Sequence, residues 1–403
     1  MSGPFGLRQD ADDQIWACSC DIVGFTISII FKTKMAGYSR RDFLKAIAAA
    51  TVAGIASRGF ARGFGQDSTP FEFLVLGDSL MWGQGLQEAD KFYSLTAEWL
   101  RKDAFGSPRE VNLRVKAHSG SSLKFHAEEA EKFRKAGRSE TTGYEPEVNV
   151  GFPSIWKQIE MASGEYKAAG SAGADLVMLC GGITDITTAR VFDPKGDDDK
   201  LKAEIKRYCQ DDMFDVIDLA AKNNPRAKIV VVGYYPVITT HSTGSKVLNA
   251  WLEALSFPRA LKFVPNNPLV RPMFFNRIKR RAIVRSQIWL DESNKNFQLA
   301  VDRLNKAHGS TRAVFVRSPL TEENGVEAPR TKLFRMGKGG VVKDTLASDR
   351  IKACRRSLPE LKSTTGIAYS VRLCEIAAIG HPDQAGARAY AEAIRSVLPT
   401  LLK

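Results

Sequence analysis

The chain has 403 residues, 44% of them hydrophobic, and carries 58 Lys and Arg against 45 Asp and Glu for a formal net charge of +13. With no internal repeat or long low-complexity tract, this composition fits one large or two small globular domains and excludes solenoid and fibrous classes. Much of the positive charge lies between Pro258 and Leu290, where Arg259, Lys262, Arg271, Arg277, Lys279, Arg280, Arg281 and Arg285 meet no acidic residue; without a nucleic-acid motif beside it, the run reads as a solvated basic face or, alternatively, a contact through 258–290 with an anionic surface, and not as a nucleic-acid site.

In chain order, the first informative segment is Ser39-Arg40-Arg41-Asp42-Phe43-Leu44-Lys45, which matches the twin-arginine export consensus. An apolar stretch, Ala46 to Ala56, follows and ends near the small residues Ala56 and Ala61. Charged n-region, short apolar h-region and small-residue cleavage site are the parts of a signal peptide. The apolar run is well under the roughly 20 residues that span a bilayer. The expectation is a signal peptide over 35–61, handled by the twin-arginine translocase, with the mature protein periplasmic or secreted. Met35 stands four residues before Ser39, so residues 1–34 are expected to be an upstream extension outside the fold, and peptides from 8–32 in the unprocessed precursor would overturn that.

Export bears on the cysteines. Cys18 and Cys20 precede the signal, and an oxidising compartment permits disulfides among the rest. Cys354–Cys374 is the plausible pair, both in the loop-rich C-terminal part, while Cys180 ends an apolar run and reads as a buried thiol. No Cys/His spacing suggests zinc, and no metal site is expected.

Beyond the signal, short apolar runs alternate with helical patterns. Phe71–Leu76, Val111–Ala117, Asp175–Leu179, Lys228–Val232 and Arg312–Val316 are short, rich in Val, Ile, Leu and Phe, and bounded by Gly, Ser or Pro, as buried strands are. Helices are expected at Lys91–Phe105, Pro153–Ala169, Lys200–Asn223, Asp291–Ala307 and Gln384–Leu398. The alternation predicts a doubly wound α/β domain over 62–403, its parallel sheet covered on both faces and its ligand site at the carboxyl ends of the strands. The stretch 237–290 looks like an insertion of loop and helix, mixing its basic residues with Trp251, Phe257, Phe263, Phe274 and Phe275.

Directly after the first of these strands comes Gly77-Asp78-Ser79-Leu80. Gly permits a tight turn out of the strand, leaving the Ser79 hydroxyl exposed at its carboxyl end with backbone N–H groups available to an oxyanion. A serine nucleophile needs a base. Among His118, His241, His308 and His381, the last stands out in Gly380-His381-Pro382-Asp383, because Pro382 keeps the chain at His381 out of helix and presents the imidazole from a loop. His118 ends a strand candidate and could also line the pocket. Asp78 and Asp185 read as structural.

Gly77-Asp78-Ser79-Leu80 near the start and His381-Pro382-x-x-x-Gly386 near the end resemble the first and last blocks of GDSL/SGNH hydrolases. Between them, Ser119-Gly120-Ser121 is similar to the block whose glycine N–H helps form the oxyanion hole, and Gly181-Gly182-Ile183-Thr184-Asp185 is similar to the block that reads Gly-x-Asn-Asp in the family. The resemblance covers 71–399. It implies a flavodoxin-like sheet of five parallel strands and hydrolysis of carboxylic esters of small molecules, lipids or acylated glycans with no cofactor. Ser79 would be the nucleophile and His381 the base, with the oxyanion held by the N–H groups of Ser79 and Gly120 and by Thr184.

Two positions depart from the family pattern. Thr184 stands where the family has an Asn donor, offering one short hydroxyl in place of an amide. The Asp expected three residues before the histidine is Ala378, and neither Glu375 nor Asp383, the nearby acids that could orient the imidazole, has the family's offset. A Ser79–His381 dyad whose tautomer is held by a backbone carbonyl is the simplest expectation. The alternative is a degenerate module that binds an envelope polysaccharide or lipid without cleaving it.

Overall fold

The computed structural model describes residues 16–22, 25–31, 69–141, 143–242, 271–337 and 340–403, with backbone alone for 16–31 and 271–275. The expected signal peptide at 35–61 and residues 243–270 of the expected insertion lie outside the described residues. The chain divides into two units, Met1–Ser68 and Thr69–Lys403. Within the first, strand β1 (Trp16–Ile22) pairs antiparallel with β2 (Phe25–Phe31).

The second unit is built on five strands, β3 (Phe71–Gly77), β4 (Val111–Val115), β5 (Leu176–Cys180), β6 (Lys228–Val232) and β7 (Ala313–Val316), in the order β4-β3-β5-β6-β7. Every pairing in it is parallel. This is the flavodoxin-like, doubly wound arrangement, and the order in which strands are added reverses between β3 and β5, where such sheets open a crevice at the carboxyl ends of the strands. Register puts Gly77 opposite Cys180, so the turns that follow these two strands leave the sheet side by side.

Central strands read as continuous apolar runs because helices cover both faces: Phe73, Leu74, Val75 and Leu76 of β3 and Leu176 to Cys180 of β5 are wholly buried. The covering helices are α1 (Ser79–Trp82), α2 (Phe92–Lys102), α3 (Ala127–Lys135), α4 (Ile155–Ala168), α5 (Ile183–Ile186), α6 (Thr188–Val191), α7 (Asp198–Lys206), α8 (Met213–Asn223), α9 (Arg271–His308), α10 (Ala347–Thr365), α11 (Val371–Glu375) and α12 (Gln384–Leu401). A π-helical segment, Arg207–Asp212, joins α7 to α8. Stacking of Phe92 on Tyr390, 5.4 Å between ring centroids, ties α2 to α12.

Three findings differ from the sequence reading. The helix expected over Asp291–Ala307 begins at Arg271, and Ile278, Ala282 and Trp289 from its first half are buried in the core. The last twenty residues of the expected insertion form the first half of this helix. The basic run is correspondingly not one solvated face: Arg285 is 2% exposed and donates to Asp198 Oδ1 at 2.7 Å and to the carbonyls of Arg190 and Val191, while Arg281 also pairs with Asp198 at 2.9 Å. Of the described members of that run, only Arg277 and Arg280 are classed as exposed. Finally, α3, α10 and α11 were not foreseen.

Cys354 on α10 and Cys374 on α11 form the expected disulfide, and Cys180 is a buried free thiol, as is Cys209.

Candidate active site

The nucleophile turn is dictated by Gly77. Its φ of +137° lies where L-residues are strained, and a Cβ there would come within 2.5 Å of both Cys180 O and Met81 Cγ. Asp78 then caps α1, accepting from Leu80 N at 3.0 Å. Its other oxygen accepts from the Tyr234 hydroxyl, and burial pushes its carboxyl up to about 6. Ser79 is thus held at the mouth of the crevice by a cap, a turn and a tyrosine.

His381 arrives from the opposite end of the sequence. Its loop is pinned as a short β-bridge: Phe334 N donates to His381 O at 2.8 Å, Gly380 N to Phe334 O at 3.1 Å and Asp383 N to Lys332 O at 2.9 Å. Tyr235 donates its hydroxyl to Gly380 O at 2.6 Å. The structure brings the two residues together across 302 positions, with His381 Nε2 2.8 Å from Ser79 Oγ.

The candidate orienting acids lie elsewhere. Glu375 accepts from Arg355 Nε at 2.6 Å and from Arg372 at 3.3 Å. Asp383 caps α12 by accepting from Ala385 N and Gly386 N at 2.9 and 3.0 Å. Each carboxylate is committed to its own neighbours, and His381 Nδ1 has no hydrogen-bond partner. The carbonyls of Ala377 and Ile379 lie near the ring and favour a proton on it; on Nδ1, that proton leaves Nε2 free to accept from Ser79. Burial pushes the imidazole down to about 4, and the Arg350 charge adds to the effect. One side of the ring remains open to the cavity, where water works against the shift, but the direction is downward. His381 is a neutral imidazole at neutral pH.

Thr184 lines the same cavity, yet its hydroxyl donates to Ser121 O at 2.6 Å. Its single proton is spent, so the expected third oxyanion donor is not available in this geometry. Gly120 has φ +84° and lies beside the nucleophile in the lining. Neither its N–H nor that of Ser79 donates to another group among the described residues.

Asp185 is structural, accepting from Leu123 N with both oxygens. His118 is buried with its ring against the carbonyls of Ser119 and Tyr144, and His241 and His308 are exposed. Among the described residues no group of three His, Cys, Asp or Glu side chains is arranged to hold a metal ion.

The cavity is about 350 Å³. Its lining includes the apolar residues Phe192, Val237, Trp289 and Leu373 and the polar residues His126, Glu129, Asn149 and Tyr369. None of these four polar residues was singled out from the sequence, because none lies in a motif. Beneath the site lies a buried ionic cluster that was also missed. Arg350, with no exposed surface, donates to Glu147 at 3.0 Å and to Asp344 at 2.6 Å. Glu147 further accepts from Trp82 Nε1 at 2.8 Å, Gln84 Nε2 at 2.9 Å and Gly85 N at 3.1 Å.

The fold and site define an α/β protein with a serine–histidine pair at the carboxyl end of a doubly wound sheet. No family model matches the sequence, and neither does any curated protein. Among solved structures the chain is similar to a family two carbohydrate esterase from Clostridium thermocellum in complex with cellohexaose (13% identity, TM-score 0.36, covering 83% of this chain and 65% of that one). It is also similar to a lipase from a goat rumen metagenome (13% identity, TM-score 0.38, covering 83% and 100%) and to phospholipase A1 from Streptomyces albidoflavus (12% identity, TM-score 0.38, covering 81% and 99%). The chain thus spans just under two thirds of the carbohydrate esterase. Likeness at this level carries no statement about activity, which rests on the site.

Proposed function

We propose that this protein is a serine esterase that cleaves carboxylic esters through an acyl-enzyme on Ser79. The observation that carries the reading is the 2.8 Å approach of His381 Nε2 to Ser79 Oγ at the wall of a cavity of about 350 Å³. Ser79 Oγ attacks the ester carbonyl carbon as its proton passes to Nε2. The resulting oxyanion is held by the N–H groups of Ser79 and Gly120. The bond to the leaving oxygen then breaks and Nε2 returns the proton to the alcohol. Water, deprotonated by the same nitrogen, releases the acid and restores the hydroxyl. The apolar lining residues suit an acyl chain and the polar ones a hydroxylated partner, in keeping with esters of lipids or envelope glycans.

Export by the twin-arginine route to the periplasm or beyond belongs to the same proposal. The disulfide between Cys354 and Cys374 supports it, since such bonds persist in oxidising compartments.

The unpartnered Nδ1 of His381 favours one rival, a module that binds an acylated ligand without turnover. A fluorophosphonate probe separates the two. The esterase reading expects labelling of wild type that Ser79→Ala abolishes. Folded wild type that takes no label overturns it and leaves the binding module.

A further inference from the structure

An oxyanion hole with two backbone donors and a spent threonine is one donor short of the set that the sequence led one to expect. Loss of such a donor costs on the order of 10²–10³ in rate. A further polar group lining the cavity comes from a different segment, the loop Glu145–Gly151. That loop is strapped to the Gly120 turn by Ser119 N to Pro146 O at 2.9 Å and Val150 N to Ser119 O at 3.1 Å. Its Glu147 is fixed by the four donors already described, and Asn149 N donates to Cys374 Sγ at 3.4 Å. The backbone on either side of Asn149 is therefore rigidly held.

The Asn149 side chain is held by nothing. Its carboxamide makes no hydrogen bond to any described residue, although the residue is half-buried and lines the cavity together with Ser79, Gly120 and His381. It lies directly over Gly120: a Cβ at position 120 would fall 2.2 Å from Asn149 Oδ1. The glycine is thus needed for the carboxamide to approach as well as for its own φ of +84°. An amide with two unspent N–H donors, beside Gly120 and lining the same cavity as the serine hydroxyl, has the chemistry of an oxyanion donor. Because neither of its polar atoms is bonded, the group can turn its NH₂ toward developing charge without breaking anything.

We propose that the carboxamide of Asn149, on the loop before α4, is the third oxyanion donor, taking the role that the family pattern would give to position 184. The inference rests on the esterase reading and goes beyond it by assigning a residue outside every motif. The donor bonds to the substrate carbonyl oxygen most strongly once that oxygen carries negative charge. Its loss should lower kcat and leave KM nearly unchanged, which a merely structural defect would not do selectively.

The test measures kcat and KM on p-nitrophenyl acetate, with thermal unfolding, for wild type, Asn149→Ala, Asn149→Asp and Thr184→Ala. Asn149→Ala is expected to lose on the order of 10²-fold in kcat with KM within about threefold. Asn149→Asp keeps the shape of the side chain and replaces a donor with an acceptor, so it should lose at least as much while unfolding at the wild-type temperature; it decides the matter if the alanine variant is poorly folded. Thr184→Ala should lose less kcat than either Asn149 variant, since its hydroxyl is committed to Ser121. An active wild type with Asn149→Asp folded and at full kcat overturns this proposal alone, as does a larger loss in Thr184→Ala than in either Asn149 variant. A wild type that turns over no ester overturns the esterase reading and this one with it.

Discussion

The acid limb of the pH–rate profile follows from the surroundings of His381. On the esterase reading, catalysis needs the neutral imidazole, and its ionisation in the free protein sets the acid limb of kcat/KM. An unperturbed histidine titrates at 6.5, whereas burial, helped by the Arg350 charge and unopposed by any carboxylate at Nδ1, takes this one to about 4. At about pH 5.5 an ordinary histidine would be roughly a tenth neutral, whereas His381 would be mostly neutral. The expected profile for p-nitrophenyl acetate is therefore flat from neutrality down to about pH 5.5 and falls at more acid pH, with an apparent pKa near the shifted value. Jump assays, in which enzyme returned to neutral pH recovers its full rate, separate titration from acid unfolding. An acid limb near the ordinary histidine value, with full recovery, would refute the reasoning and point to an undetected carboxylate partner.

The remaining predictions concern the frame around the site. Replacing Arg350 with Met leaves the carboxylates of Glu147 and Asp344 buried without their cation, so urea unfolding should show a loss of about 3–5 kcal/mol; a change under about 1 kcal/mol would mean that water reaches the cluster. The Cys354–Cys374 bond spans 20 residues, and chain entropy assigns such a loop about 3 kcal/mol, so the Cys354→Ser, Cys374→Ser double variant should melt well below wild type, and equal melting would show that the packing of α10 on α11 suffices alone. Burial, chiefly, lifts the Asp185 carboxyl from 3.8 to about 7. A folded-state pKa above the unfolded one gives stability that is complete below the unfolded value and lost as pH rises through the folded one. Asp185→Asn should accordingly lose less stability than wild type between about pH 5 and pH 8 in paired urea titrations, and parallel losses would show that Asp185 is not the group responsible.

What was legible in the sequence was whatever a short window carries. Strands such as Lys228–Val232 coincide with their apolar runs because burial on both faces leaves no polar position to confuse the pattern. Ser79 and His381 were legible because a glycine turn and a proline-guarded loop mark strand-end chemistry locally. Helix α10 was missed for the opposite reason. Arg350 occupies a core position on it and Pro359 lies inside it, so charge and proline hide a buried face formed by Ala353, Cys354, Leu358 and Leu361. The long helix α9 was cut short because Arg281 and Arg285, read as solvent-facing, find their counter-charge in Asp198, more than eighty residues away. Thr184 was given a donor's role from its place in a block, but whether its proton was free depended on where Ser121 O would fall. Asn149 had no motif at all, and only the meeting of its loop with Gly120 identifies it.

The two departures from the family pattern bear on each other. In the tetrahedral intermediate of the proposed reaction, negative charge would grow on the substrate oxygen while positive charge grows on the imidazole. A carboxylate at Nδ1 would stabilise the second; here only the carbonyls of Ala377 and Ile379 near the ring favour it, and the Arg350 charge opposes it. The imidazolium side of the transition state is therefore poorly supported, and the site must rely on the oxyanion side. That makes the number of N–H donors decisive, because each acts where water is largely excluded and is already oriented before the charge appears. The same cluster serves both ends. Arg350 holds Glu147, Glu147 lies on the loop that carries Asn149, and the Arg350 charge adds to the burial that holds the His381 imidazole below its usual range. On the proposed reading, a cation that disfavours the imidazolium thus also helps to fix the loop that would present the oxyanion donor.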